Sequence, residues 1–87
     1  MLSIIIPIFN EKDNISILSK KISQSLKSLN YEVIFINDGS IDGSEEILVN
    51  VTKKYKNYYL VNFKKNYGQT AAIQAGFDLS KGEIIIA

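Results

Sequence analysis

The chain has no cysteine and no histidine, and only one proline, among 87 residues. Without cysteine there are no disulfides and no thiolate metal sites, and a reducing compartment fits. Without histidine there is no imidazole base, no Ser-His-Asp triad and no His-ligated zinc. Whatever chemistry occurs rests on carboxylates, amides, hydroxyls and lysines. A surplus of one charge sign is also missing. Ten Lys and Arg against nine Asp and Glu leave a net charge of +1, so no global field draws in nucleic acid or an acidic membrane. The nearest approach to a basic stripe is Lys53, Lys54, Tyr55 and Lys56, then Lys64 and Lys65. It reads as solvated helix ends and loops, and nucleic acid is not an expected partner. No apolar run approaches the roughly 20 residues of a membrane-spanning helix. The N-terminal apolar run has no basic flank and ends by Phe9, so it does not read as a signal peptide.

Hydrophobic residues make up 46% of the chain and charged residues 22%, a globular mixture. The length fits one small domain or part of one. A chain of this size buries only about 60–65% of the surface its unfolded form exposes, so its core is marginal.

Apolar runs and helical spacings alternate along the chain. Leu2 to Phe9 is almost continuously apolar and reads as a strand buried on both faces, with Pro7 near its end where no ladder donor is needed. Ile15, Leu18, Ile22, Leu26 and Leu29 recur every three or four residues and predict an amphipathic helix, N-capped by Asn10 or Asp13. Tyr31 to Ile36 is a second strand, followed by a turn from Asn37 to Gly43. Asp42 with Glu45 has capping-box spacing for a second helix, whose stripe is Ile47, Leu48, Val51 and Tyr55. Tyr58 to Phe63 is a third strand, and Asn66 to Gln69 a loop in which Gly68 permits an unusual backbone angle. Ala71, Ala72, Ala75 and Leu79 give a third helix a small-residue face, suited to close packing on a sheet, and Lys81-Gly82 ends it. Glu83 to Ala87 begins a fourth strand, within which the sequence ends, so the chain is expected to be the front part of a larger domain. Strands alternating with helices predict a parallel α/β sheet with right-handed crossovers.

Ligands of such sheets bind beyond the carboxyl ends of the strands, so the loops after strands one, two and three are the informative ones. They bring Asn10 to Asp13, Asn37 to Asp42 and Lys64 to Gly68 to one edge of the sheet. Carboxylates, amides and lysines gathered there suit a ligand carrying both a base and phosphates. No G-x-G-x-x-G follows strand one, and no G-x-x-x-x-G-K-[ST] occurs. Asp38 to Gly43 mimics the start of an EF-hand loop, but Val49 stands at the twelfth position where a bidentate Glu is required, so calcium is rejected there.

Three segments carry a family resemblance. Ser3-Ile-Ile-Ile-Pro-Ile-Phe-Asn-Glu11 resembles the opening strand of family 2 glycosyltransferases. Asn37-Asp-Gly-Ser-Ile-Asp-Gly-Ser44 resembles their D-D-G-S-x-D-G-[ST] signature. Lys65-Asn-Tyr-Gly-Gln-Thr-Ala-Ala-Ile-Gln-Ala-Gly-Phe-Asp78 resembles R-N-x-G-x-x-A-A-x-x-A-G-x-x of the polyprenyl-phosphate branch, which includes dolichyl-phosphate mannosyltransferase-like enzymes. The three stand in order and span nearly the whole chain.

The resemblance implies the Rossmann-like, nucleotide-binding half of a GT-A fold, a three-layer α/β/α arrangement with a mainly parallel sheet. It implies transfer of a sugar from a UDP- or GDP-linked donor to polyprenyl phosphate, at the cytoplasmic face of the membrane or in the cytoplasm, for cell-envelope glycans. A glycan acceptor, as in polysaccharide-extending members, is the alternative. By position, Pro7, Phe9 and Glu11 contact base and ribose, Asp38 accepts a hydrogen bond from a base ring N–H, and Lys65 meets the phosphates. Asn10, Asn37, Gly39, Ser40, Asn66 and Gly68 complete the expected donor-nucleotide set. Asn37 replaces the first Asp of the usual pair and brings no charge. The D-x-D motif that holds Mg²⁺ or Mn²⁺ in the family, and its catalytic base, come later than Ala87, so no metal-binding or catalytic residue is expected within the chain. In the contrasting reading the chain is a non-catalytic module that binds a nucleotide or self-associates through an exposed sheet edge.

Overall fold

A computed structural model describes residues 1–86. Its elements run β1 (Leu2–Ile8), α1 (Lys12–Ser25), β2 (Tyr31–Asn37), α2 (Ser44–Lys54), β3 (Tyr58–Asn62), α3 (Gln69–Leu79) and β4 (Glu83–Ile86). The four strands form one sheet in the order β3-β2-β1-β4, and every neighbouring pair is parallel. The expected parallel α/β pattern is therefore the observed one. From β1 to β3 the chain steps in one direction, then returns across the sheet to place β4 beside β1. Right-handed crossovers put helices on opposite faces when the direction of stepping reverses.

Alternation along each strand divides the core accordingly. Ile4, Ile6, Ile8, Val33, Phe35 and Tyr58 point to the face covered by Ile15 of α1 and by Leu48 and Val51 of α2. Ile5, Ile34 and Ile36 point to the other face, under Ala72 of α3. Three layers result. Burying each large apolar side chain contributes about 1.5–3 kcal/mol, and Phe35, Ile5, Ile15, Ile36 and Leu48 are almost wholly excluded from solvent. The small-residue face of α3 has the expected purpose. A Cβ added at Gly76 would run into the Ile5 side chain, so the helix lies directly on the sheet.

Tyr58 is the polar member of the first core layer. Its ring stacks on Tyr55 at 4.6 Å between centroids, and its hydroxyl donates to the Ser19 carbonyl at 3.2 Å. Tyr31 shares a further hydrogen bond with it, so the buried oxygen is satisfied.

Several expectations are corrected. α1 stops at Ser25, so Leu26 packs from its C-cap and Leu29 lies beyond the helix, 52% exposed. Neither Asn10 nor Asp13 caps α1. Glu11 occupies that position and makes no side-chain cap bond. Asp42 and Glu45 do not form a capping box on α2, because Gly43, at φ 95°, stands immediately before the helix. Leu79, the last residue of α3, is 52% exposed and does not join the packed face of the helix. β1 and β3 end one residue earlier than read, at Ile8 and Asn62, and β2 one later, at Asn37.

At the amino-terminal end of the sheet a buried carboxylate anchors β4. The Ser3 hydroxyl donates to Glu32 at 2.6 Å and the Lys81 N–H donates to the same oxygen at 2.8 Å. The Gly82 N–H donates to Ser3 Oγ at 2.8 Å. These bonds fix the register that sets Leu2 opposite Glu83.

Candidate functional site

The three loops after β1, β2 and β3 are joined at the carboxyl edge of the sheet by two sets of hydrogen bonds. The first ties the β1–α1 loop to the β2–α2 loop. The Asn10 N–H donates to Ser40 Oγ at 3.0 Å, and the Ile41 N–H donates to Asn10 Oδ1 at 2.8 Å. Asn10 takes φ 52°, a left-handed angle that Asn tolerates because its short amide bonds locally. The Glu11 N–H donates to Ser44 Oγ at 3.2 Å, and the Lys12 N–H to Asp42 Oδ2 at 3.2 Å. Asp42 thus accepts from the first residue of each helix: Oδ2 from the Lys12 N–H of α1, and Oδ1 from the N–H and hydroxyl of Ser44 in α2.

The Ser44 hydroxyl, more than any other group, holds the Asp42 carboxyl below its usual value, and the Lys12 and Ser44 N–H groups add to this. A depressed carboxylate contributes stability that is present above the unfolded-state value of 3.8 and is lost as pH falls through the lower folded-state value. Acid unfolding of the chain is therefore expected to steepen below about pH 3.8, and Asp42→Asn to remove that component. Paired pH titrations of the denaturation midpoint check this. Identical acid limbs for the two proteins would contradict it.

The second set of bonds centres on Asp38, 4% exposed. Its Oδ1 accepts from the Tyr67 N–H at 2.7 Å; Oδ2 accepts from the Gly68 N–H at 3.0 Å and from Asn66 Nδ2 at 3.1 Å. Asn66 Nδ2 also reaches the Asp38 carbonyl. The β3–α3 loop is thereby wrapped around one carboxylate. Gly39, at φ 71°, lets the two loops touch, because a Cβ there would stand 2.5 Å from the Asn66 nitrogen.

Between these loops opens a cleft of about 350 Å³, lined by Pro7, Ile8, Phe9, Glu11, Asp38, Asn66, Gly68 and Gln69. Six of the eleven expected nucleotide-site residues meet there: Pro7, Phe9, Glu11, Asp38, Asn66 and Gly68. Phe9 is 47% exposed, an aromatic face open to a ligand. Asn10, Ser40 and Gly39 do not line the cleft; Asn10 and Ser40 bond the first two loops together, and Gly39 permits contact with the third. Asn37 is 2% exposed, and its amide bonds the Asn62 side chain and the Ser40 N–H, so it shapes the turn. The Lys65 ammonium lies over the Tyr67 ring, 5.3 Å from its centroid, one residue before the cleft-lining Asn66. Ile8 and Gln69 line the cleft and were missed. Residue order puts Gln69 at the end of a loop; in the fold it is the first residue of α3 and lines the cleft.

A separate hollow of about 280 Å³, lined by Glu32, Ile34, Tyr59, Leu60, Val61, Leu79 and Lys81, includes residues from the amino-terminal end of the sheet. Its lining is apolar except for Glu32, Lys81 and the Tyr59 hydroxyl, whereas several polar groups converge in the cleft at the carboxyl edge, where ligands of open parallel sheets bind. Among the described residues no group of three or more His, Cys, Asp or Glu side chains can hold a metal ion, and Asp38 is already engaged by three donors. The residues present do not make a divalent-cation site. No described helix is long and apolar enough to cross a membrane.

Comparison with known proteins agrees with this architecture. The chain is 38% identical over 87 residues to undecaprenyl-phosphate 4-deoxy-4-formamido-L-arabinose transferase of Photorhabdus laumondii, covering 97% of this chain and 27% of that protein. It is 35% identical over 95 residues to dolichyl-phosphate beta-glucosyltransferase of Trichomonas vaginalis, covering 98% of this chain and 28% of the relative. The chain thus spans about a quarter of the length of the curated relatives it matches. Among solved structures it superposes on the mannosyltransferase PcManGT from Pyrobaculum calidifontis, in complex with GDP-Man and Mn²⁺, with a TM-score of 0.82. That match covers 95% of this chain and 25% of the other at 18% identity, so it speaks for the fold. The family profile described as glycosyl transferase family 2 matches residues 3–87, and on that match, carried across nearly its whole length, the chain belongs to glycosyl transferase family 2.

Proposed function

We infer that this chain is the nucleotide-sugar-binding part of a glycosyltransferase that moves a sugar from a UDP- or GDP-linked donor to a polyprenyl phosphate at the cytoplasmic face of the membrane. The observation that carries the reading is the convergence of Pro7, Phe9, Glu11, Asp38, Asn66 and Gly68 on one cleft at the carboxyl edge of a parallel sheet. Each residue has a chemical task there. Pro7 and Phe9 offer an apolar surface to the flat face of a base. Asp38 has about four lone-pair directions and three donors, which leaves one for a base ring N–H. Glu11 accepts from ribose hydroxyls. Lys65 supplies a positive charge to the diphosphate when its ammonium leaves the Tyr67 ring, an exposed contact worth only about 0.5–1 kcal/mol.

The acceptor assignment draws on the relatives, which are named for transfer to undecaprenyl and dolichyl phosphates. A polysaccharide acceptor is the alternative within the same family. The solved neighbour holds GDP-Man with Mn²⁺, which supports a divalent cation in the whole enzyme.

Calorimetric titration of the chain with UDP and GDP tests the reading. One of the two is expected to bind, and Phe9→Ala, at an exposed position that leaves the core intact, is expected to weaken it about tenfold through lost stacking. Failure of both nucleotides to bind a folded sample overturns the reading.

A second property rests on β4. Its Ile85 and Ile86 are 44% and 46% exposed, and among the described residues it pairs with β1 alone. Such an edge invites pairing, so the isolated chain is expected to self-associate. A monomer mass independent of concentration in light scattering would sink that expectation.

A further inference from the structure

Asp38 by itself is a poor reader of base identity. Three of its lone-pair directions are filled by the Tyr67 and Gly68 N–H groups and the Asn66 amide, so it can take one donor and nothing more. Uracil and guanine both place a ring N–H beside a carbonyl. Recognition of that pair needs a second group, a hydrogen-bond donor standing next to Asp38 in the same cleft.

Among the cleft-lining side chains the candidates are few. Pro7, Ile8 and Phe9 have no polar side-chain atom, and Gly68 has no side chain. Glu11 offers carboxylate oxygens, which accept hydrogen bonds. The Asn66 amide is already bonded to the Asp38 carboxylate and carbonyl. Gln69 remains. It is exposed, and its side-chain amide makes no hydrogen bond among the described residues. It follows directly on Gly68, whose N–H is fixed on Asp38 at 3.0 Å, so the bond that positions the carboxylate also positions Gln69 beside it.

We propose that Gln69 is a specificity-determining residue of this cleft, its amide N–H donating to the base carbonyl that adjoins the ring N–H held by Asp38. The assignment rests on the nucleotide-binding reading above. The pair then accepts at one point and donates at the next, which matches the N–H and C=O of uracil or guanine. Cytosine presents the reverse, a ring nitrogen acceptor beside an amino donor. Its acceptor would face the Asp38 carboxylate with no proton between them, and the mismatch leaves polar groups unpaired.

The test is calorimetric titration of the wild-type chain, Gln69→Ala and Gln69→Glu with UDP, GDP and CDP. Because Gln69 is exposed, both variants are expected to keep the wild-type denaturation midpoint. The wild type is expected to prefer UDP or GDP over CDP. Gln69→Ala is expected to reduce that preference about three- to tenfold, the loss of one hydrogen bond. Gln69→Glu is expected to reduce it further, because a carboxylate repels the base carbonyl and accepts from the cytosine amino group. An unchanged preference in both variants, or equal weakening toward all three nucleotides, overturns the role of Gln69 and leaves the cleft assignment standing. Failure of every nucleotide to bind the folded wild type overturns both.

Discussion

Gly39→Ala is expected to destabilise the chain by roughly 2–5 kcal/mol and to separate the loops that form the cleft. Two costs add. The residue sits at φ 71°, a left-handed conformation that costs an L side chain about 1–2 kcal/mol. The new methyl would also press on the Lys65 and Asn66 backbone, standing 2.5 Å from the Asn66 nitrogen and 2.8 Å from the Lys65 Cα. Backbone cannot swing aside as the end of a flexible side chain can, so the loops must part at an overpacking cost of about 1–3 kcal/mol. Total stabilities of small domains run to only about 5–15 kcal/mol. A variant that is largely unfolded, or whose chemical-denaturation midpoint has dropped steeply, is therefore the expected result. A change within about 0.5 kcal/mol, the range of an ordinary surface substitution, would refute the close approach of the two loops.

Asp38→Ala is expected to cost roughly 2–4 kcal/mol and to abolish nucleotide binding. The substitution removes the acceptor of two backbone N–H groups and one amide. Each buried donor left without a partner costs about 1–3 kcal/mol, and water entering from the cleft recovers part of the sum. Asp38→Asn separates the structural role from the ligand role. It keeps one acceptor oxygen but turns an NH₂ group toward N–H donors, so an intermediate loss of stability is expected. Base preference should weaken as well, since the amide can present a donor where the carboxylate presents only acceptors. Hydrogen exchange at Tyr67 and Gly68 reads the first effect and calorimetry the second. Protection of those two amides that survives in Asp38→Ala would show that the loop does not depend on the carboxylate.

The secondary-structure pattern was legible from residue order. Nearly continuous apolar runs such as Leu2 to Phe9 specify strands buried on both faces, and the spacing of Leu48 and Val51 specifies a helix with one apolar stripe. The third helix was legible from its alanines, and Gly76 against Ile5 gives the reason for the small residues. Helix ends were less legible. Leu26 and Leu29 continue the periodicity of α1, but the helix stops at Ser25, because periodicity measures which side is apolar and not where the backbone bonds cease. Asp42 followed by Glu45 has the local form of a capping box, yet Glu45 takes no part, and Asp42 divides its oxygens between the first residue of α2 and the first residue of α1. A capping pattern specifies that an acceptor is available; which N–H takes it depends on which loop lies closer in space.

The same division applies to the site. The three motif segments placed Pro7, Phe9, Glu11, Asp38, Asn66 and Gly68 together because they lie at or beyond the carboxyl ends of strands of one parallel sheet, and parallel strands end on the same edge. Residue order alone determined the class of fold and the edge that carries the site, and the family resemblance added Pro7 and Phe9 to the loops at that edge. Tertiary structure decided the rest. It assigned Asp38 to three donors of the next loop, set Lys65 over Tyr67, brought Gln69 into the cleft and used Glu32 to hold the start of β4. The Asp38 and Glu32 bonds join residues 30 and 49 positions apart. Hydrogen-bond partners and close contacts are fixed by distance in the folded chain, and a one-dimensional pattern of polar and apolar residues carries no record of that distance.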